Sequence, residues 1–209
     1  MMQGMTRPLD VLVIESHRGA AASAVQALEA AGHHVHRCYD GDSQGFPCRG
    51  VIDPRECPLA RHADVALLVR SHVAPRPTAL EQGVNCAIRA DVPLVEAAPA
   101  ALDPYEPWLA ARVDDDVVAT CEAASDAALG ELRREILRLA TPILFGAGIP
   151  ASRTVCRIEP DATRLRVTFE VPGAVTPAVK QALAVRVLDA VRCVGRTYGP
   201  VEISVHDAG

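Results

Sequence analysis

The chain has 209 residues, 49% hydrophobic, 22% charged and only 3% aromatic, which is enough to bury one or two compact cores and excludes long disorder. A net charge of −5 with no basic block argues against a primary nucleic-acid-binding surface. No apolar run reaches the roughly 18 to 20 residues of a membrane span, and no processing site follows Val11-Leu12-Val13-Ile14, so a cytoplasmic protein without a membrane partner is expected.

The first 140 residues alternate strand and helix signals. Residues 9–14 form a continuous apolar strand. Residues 19–31 read as an alanine-rich helix with Val25 and Leu28 at helical spacing, closed by Gly32. A second strand over 34–39 ends in the turn Asp40-Gly41. From 42 to 61, Gly45, Pro47, Gly50, Pro54 and Pro58 allow no long helix. A third buried strand covers 64–69. Thr78 and Glu81 have the spacing of a capping box ahead of a helix that runs to about Ala90. Residues 92–96 supply the fourth strand, 99–107 a proline-rich loop and 116–119 the fifth strand, and Ser125 caps a helix over 127–139. Continuous apolar strands separated by helices predict an α/β domain: a doubly wound, parallel, five-stranded sheet covered on both faces.

Near Thr141-Pro142 the pattern changes. Residues 141–152, with Gly146, Gly148 and Pro150, read as a linker, and 153–209 as a small α+β domain of ββαβ order. Its strands fall at 154–158, 165–171 and 201–205, with a helix from Pro177 to about Val194. Leu165, Val167, Phe169 and Val171 alternate with Arg166, Thr168 and Glu170, so one sheet face is buried and the other wet. A unit of about 60 residues is marginal alone, which suits oligomerisation, as a homodimer, or an output role.

Four segments of the first domain, taken in order, carry a resemblance. They are Val11-Leu12-Val13-Ile14-Glu15-Ser16, then Ala30-Ala31-Gly32-His33-His34-Val35 followed by Tyr39-Asp40-Gly41, then Asp64-Val65-Ala66-Leu67-Leu68-Val69, then Asp91-Val92-Pro93-Leu94-Val95. Over about 140 residues they resemble the response-regulator receiver domain, which implies a flavodoxin-like sheet. That family uses an acidic pair after the first strand to hold Mg²⁺, a phosphoacceptor aspartate ending the third, a hydroxyl ending the fourth and a lysine in the fifth. Here the pair is reduced to Glu15 beside Ser16, and Val69 stands at the phosphoacceptor position. Ala98 lies near the hydroxyl position, and Ala119 or Thr120 near that of the lysine. Of 21 basic residues only Lys180 is lysine, so the lysine is missing in any register. Aspartyl-phosphate chemistry lacks its parts. The resemblance therefore implies a degenerate, phosphorylation-independent receiver. The alternative is a generic flavodoxin-like or Rossmann-like domain, though Glu15-Ser16-His17-Arg18-Gly19-Ala20 has one glycine where a dinucleotide loop needs three.

Seven cysteines cannot all pair, and in a reducing compartment they read as thiols, ligands or small buried hydrophobes. Cys121, Cys156 and Cys193 sit among apolar neighbours. Cys38, Cys48, Cys57 and Cys86 cluster around loop 38–62, where a receiver would place its second helix, and prolines flank Cys48 and Cys57 as Pro47-Cys48 and Cys57-Pro58. Three readings stay open. A Zn²⁺ ion or an iron–sulfur cluster binds Cys48, Cys57 and Cys86, completed by Cys38 or a histidine; Cys48 and Cys57 form a reversible disulfide or other redox switch; or the cysteines are unrelated. Cys86 lies eight residues after Thr78, about 12 Å along a helix, so the metal reading requires the loop to fold back over that helix.

Trp108 and Tyr105 sit where a receiver would have its fourth helix, a face that commonly docks partners. They are candidates for a protein interface or, equally, an aromatic plug closing the end of the sheet. No nucleophile elbow and no His-Glu-x-x-His occurs, so no catalytic residue is assigned. The expectation is a non-enzymatic regulatory protein, with a cysteine-ligated metal or redox-responsive site and a C-terminal assembly or output domain. The alternatives are an iron–sulfur electron-transfer or metal-handling accessory, and an α/β enzyme with a site at the carboxyl ends of the strands.

Overall fold

Every residue of the first strand, β1 (Asp10–Glu15), is buried, and its apolar run Val11–Ile14 is of the kind that a sheet covered on both faces requires. The structure is a computed structural model that describes residues 7–39, 47–72, 76–98, 103–160, 164–194 and 198–207. The turn Asp40-Gly41, most of the 99–107 loop's first half and Asp161 lie outside these residues. Helix α1 (Ala22–Ala30) follows β1, and Gly32 closes it at φ +88°, left-handed backbone that glycine adopts without strain. Strand β2 (His34–His36) is shorter than the 34–39 expected. The cysteine segment then makes two single-turn helices, α2 (Arg49–Ile52) and α3 (Pro58–Arg61), with a 3-10 turn over Pro54–Glu56 between them. Strand β3 (Val65–Val69), helix α4 (Gln82–Arg89), strand β4 (Leu94–Ala97) and strand β5 (Leu109–Arg112) complete the sheet, whose order is β2-β1-β3-β4-β5 with every pair parallel.

Side chains alternate across this sheet and divide its core in two. Val11, Val13, Leu67 and Val95 pack with Leu28 of α1 and with Cys121 and Ala124. Leu12, Ile14, Leu68 and Leu94 pack on the other side with Val84 and Ala87 of α4 and with Tyr105. Each fully buried leucine contributes about 1.5–3 kcal/mol. The cysteine segment lies on this second face, where Cys38 and Leu59 pack against the cluster.

Four local expectations are corrected. Residues 116–119 are not the fifth strand: the Asp116 carboxylate accepts from the backbone N–H groups of Val118 and Ala119, at 2.9 and 3.1 Å, and starts helix α5 (Val117–Gly146) instead. Ser125 is therefore buried inside that helix rather than capping one. Thr78 and Glu81 form no capping box. The Thr78 hydroxyl donates to the Ser16 carbonyl at 2.7 Å, Glu81 is fully buried on other partners, and α4 begins after a 3-10 turn over Ala79–Glu81. Helix α5 also runs on through Thr141-Pro142, where a connector was expected.

The chain divides into two compact units, Met1–Asp126 and Ala127–Gly209. In the second, β6 (Val155–Pro160) pairs antiparallel with β7 (Leu165–Val171), α6 (Pro177–Cys193) crosses over, and β8 (Val201–Asp207) lies parallel to β7. A parallel neighbour needs such a crossover. Thr176 caps α6 by accepting from the Val179 N–H, with Pro177 at the first helical position. Leu165, Val167, Phe169 and Val171 pack on Leu183, Val187, Leu132 and Ile136. The opposite face of the sheet is a polar ladder: Arg157 pairs with Glu170, Arg166 with Glu159 and Glu202, and the Thr168 and Ser204 hydroxyls lie 3.1 Å apart. No helix among the described residues is long and apolar enough to cross a membrane.

Candidate metal centre

The four clustered cysteines come from three places in the fold and line one cavity of about 180 Å³. Cys38 follows β2, and its carbonyl accepts from the Arg49 N–H at 2.8 Å, which ties the loop's return to the strand it left. Cys48 is extended and precedes α2, where its carbonyl accepts from Val51 and Ile52. Cys57 precedes α3, and Pro58 at that helix's first position holds the backbone for it. Cys86 lies on α4. Because α4 starts at Gln82 rather than near Thr78, Cys86 is one turn from the helix start, and the loop does fold back over it.

Two glycines permit these approaches. A β-carbon on Gly50 would collide with the Cys57 side chain, and one on Gly83 would lie 3.2 Å from Ile14 Cγ1 and 3.4 Å from Cys38 Sγ. The sequence marked Gly50 only as a helix breaker and did not mark Gly83; their signal was position, Gly50 two residues after Cys48 and Gly83 three before Cys86.

Val13, Ile14, Leu59 and Leu80 supply apolar wall, Gln82, Asn85 and Arg89 lie at the polar side, and among the described residues no histidine or carboxylate lines the cavity. Burial, then the neighbouring Cys48, Cys57 and Cys86, push the Cys38 thiol up to about 12. Burial also raises Cys86, helped by Cys48 and Cys57 and opposed by the Arg89 guanidinium. Among the described residues, no three histidine, cysteine or carboxylate groups stand together so as to hold a single metal ion. Four thiols thus share a cavity without closing on one point in it.

Five histidines that might have completed the ligand set have partners elsewhere. Buried His33 accepts the Leu9 N–H on Nδ1, His36 Nε2 lies 2.7 Å from Asp10, and His62 Nε2 lies 2.9 Å from Asp64. Exposed Ser71 bonds both His17 and His72, whose rings lie 5.4 Å apart. Of the two aromatic interface candidates, Trp108 is half exposed. Tyr105 is buried at 5% within the second core cluster, and its hydroxyl donates to Glu81 at 3.2 Å. Cys121 and Cys156 are buried as expected, whereas Cys193 is exposed.

The carboxyl ends of the strands, where a receiver collects cations and phosphate, are filled by ion pairs that the sequence reading missed. Glu15 accepts from the Ala21 N–H, from Arg37 and from the Tyr39 hydroxyl, at 3.1–3.2 Å. Arg70, directly after β3, reaches Glu81 at 3.2 Å with both side chains buried. Arg112 on β5 bridges Glu96 of β4 at 2.8 Å and Asp103 at 2.9 Å. An arginine ending an apolar strand and a glutamate within one were the available signals. Burial and the Asp103 carboxyl raise Glu96 to about 7 against the pull of Arg112 and Arg70.

No family model matches the chain, and no curated protein matches it. Among solved structures it is similar to one titled "Crystal structure of Era in complex with MgGDPNP and nucleotides 1506-1542 of 16S ribosomal RNA", at 10% identity and a TM-score of 0.28, covering 97% of this chain and 94% of that one. A likeness at that score carries no argument about fold or function.

Proposed function

We propose that this is a phosphorylation-independent, receiver-like regulatory protein whose input is a cysteine-ligated metal or redox-responsive site, with the unit over residues 127–209 serving assembly or output. The strand order β2-β1-β3-β4-β5, all parallel, supports a flavodoxin-like arrangement. Phosphotransfer has no machinery in it: Val69 ends β3, no lysine precedes Lys180, and Glu15, Glu81 and Glu96 are already held by arginines or backbone donors rather than open to Mg²⁺. Arg112 occupies the strand from which a receiver lysine would reach, and it is tied to Glu96 and Asp103.

The observation that carries the proposal is the single cavity lined by Cys38, Cys48, Cys57 and Cys86, which are up to 48 positions apart in the chain. Thiols gathered in this way suit a soft metal or thiol chemistry. The full chain, purified without oxygen, is expected to carry a stoichiometric thiophilic metal or, when exposed to oxidant, a Cys48–Cys57 disulfide. Cys48→Ser with Cys57→Ser should abolish both while leaving the circular dichroism spectrum unchanged. Metal content and oxidant response unaffected by that double substitution would overturn the proposal.

A further inference from the structure

We infer that the open edge of β8 is a dimerisation surface whose partner is β8 of a second copy of this chain, the two strands running antiparallel about a two-fold axis at Ile203. This rests on the assembly role proposed above for residues 127–209 and names its partner. The sheet order β6-β7-β8 leaves one side of β8, seven residues long, open among the described residues. Such a strand presents a row of free N–H and C=O groups to whatever can pair with them. Which groups are free follows from the ladder. Leu165, opposite Val201, donates to the Pro200 carbonyl at 3.1 Å, so Pro200, Glu202, Ser204 and His206 turn their backbone groups toward β7. Val201, Ile203, Val205 and Asp207 then turn theirs to the open side.

The side chains along this edge are unfinished on the same side. Val201, Ile203 and Val205 pack against the core of the unit yet are only partly buried, whereas Leu165, Val167 and Phe169, their neighbours on β7, are fully buried. The far edge of the sheet differs. Cys156, Ile158 and Pro160 of β6 are all buried, and that strand ends in a proline, which has no N–H to offer. The apolar row of β8 therefore extends the core to an edge where a further strand would cover it.

Charge and pattern select the partner and the register. A two-fold axis that keeps both apolar faces on one side of the joined sheet makes the two strands antiparallel. Only slides of two residues, which move the axis by one, keep the free backbone groups and the apolar faces matched. With Ile203 on the axis, Val201 lies opposite the second copy's Val205 and Val205 opposite its Val201, and the paired residues exchange about six hydrogen bonds. On the wet face Glu202 lies opposite the second copy's Ser204. The neighbouring registers are poorer. An axis at Glu202 sets that carboxylate against itself, one at Ser204 sets Asp207 against Val201, and one at Val205 sets Asp207 against Ile203. The strand is thus complementary to itself in one arrangement, which is the reason for assigning the edge to a second copy rather than to a foreign strand.

The test uses the full chain under a thiol reductant, so that exposed Cys193 cannot cross-link copies. Sedimentation equilibrium from micromolar to sub-millimolar concentration is combined with hydrogen–deuterium exchange read peptide by peptide. A dimer is expected whose 201–205 segment is protected and loses that protection on dilution. Ile203→Lys should make the chain monomeric. Ser204→Glu and Ser204→Lys read the register: with the axis at Ile203 the glutamate meets Glu202 and weakens the dimer severalfold, whereas the lysine meets Glu202 and tightens it severalfold. Weakening by both would place Ser204 against itself and overturn the Ile203 axis. A dimer indifferent to all three substitutions would overturn the β8 edge and leave an assembly role standing, and a monomer throughout would overturn both. The two Ser204 variants keep the apolar row, so they decide the matter even where Ile203→Lys fails to fold. Metal content and oxidant response of the cysteine cavity are measured separately, and none of these outcomes bears on them.

Discussion

Gly50 packs against Cys57 so closely that a β-carbon on it would lie 2.8 Å from Cys57 Cβ and 3.2 Å from its Sγ. The crossing of the Cys48 turn over the Cys57 turn therefore depends on a missing methyl group. Gly50→Ala must push the Cys57 side chain or bend α2, at a cost of about 1–3 kcal/mol. Thermal melting of Gly50→Ala should show a destabilised but folded chain, and any thiophilic metal that the proposed site holds is expected to fall severalfold. Unchanged metal content would show that the two turns move apart without consequence for the site.

Thiol reactivity should follow burial. Cys38, pushed up to about 12, has almost no thiolate near neutral pH, whereas Cys193 is exposed. In the metal-free chain, mass spectrometry of alkylated peptides should show Cys193 modified early and Cys38 late. A raised pKa also fixes the sign of the pH response: the Cys38 rate should rise about tenfold per pH unit and not level off before about pH 12. A plateau below pH 9 would contradict the buried environment.

Asp64 is the junction of a buried ion-pair network. It accepts from Arg7, from His62 at 2.9 Å and from the Asp10 N–H at 2.8 Å. Burial alone would raise its carboxyl, but hydrogen bonds from His62 and Arg7 and their charges outweigh burial and hold it well below the usual carboxylate range. Because the folded pKa is depressed, the stabilisation is present above about pH 4 and is lost as pH falls through the acid range. Asp64→Ala should cost about 3 kcal/mol at pH 7 in denaturant titrations, since it strands buried partners. The difference between native and variant chains should narrow progressively as pH falls below about 4. A difference that persists undiminished into acid would refute the linkage.

Glu96 works in the opposite direction. Its Oε2 accepts from Arg112, while buried Oε1 has no donor among the described residues, and the neighbouring Asp103 carboxyl is itself an acceptor. Burial first, and then the neighbouring Asp103 carboxyl, favour the protonated form of Glu96. With the folded pKa raised to about 7 from 4.5, the stabilising contribution is full below about pH 4.5 and is lost as pH rises through about 7. Glu96→Gln carries a permanent donor in that place. It should flatten the dependence and be the more stable chain at pH 8, on the order of 2 kcal/mol by chemical denaturation. An unaltered slope in the variant would rule out Glu96 as its source.

Periodicity and punctuation made the layer architecture legible. Val11 to Ile14 and Val65 to Val69 are unbroken apolar runs that only a sheet covered on both faces can bury, and Gly32 marked the end of α1. The 165–171 alternation likewise foretold the half-buried second sheet. The fifth strand was misplaced because Leu109 to Arg112 is too short and too mixed to stand out, while Asp116 looks the same before a strand as it does when capping a helix. Thr78 and Glu81 had capping-box spacing, but the tertiary partners Ser16, Arg70 and Tyr105 took both side chains.

The sequence by itself determined the parts: a parallel α/β layer, a smaller α+β unit, no lysine for phosphotransfer and four cysteines around an irregular segment. These follow from local spacing and composition, which act within a few residues. Only the tertiary structure decided that the four thiols meet at one cavity, that no histidine among the described residues joins them, and that arginines occupy the carboxyl ends of the strands. Those outcomes depend on which distant groups share a buried volume, and on whether a bare Gly50 or Gly83 lets two segments touch, and neither is written in the spacing of neighbours.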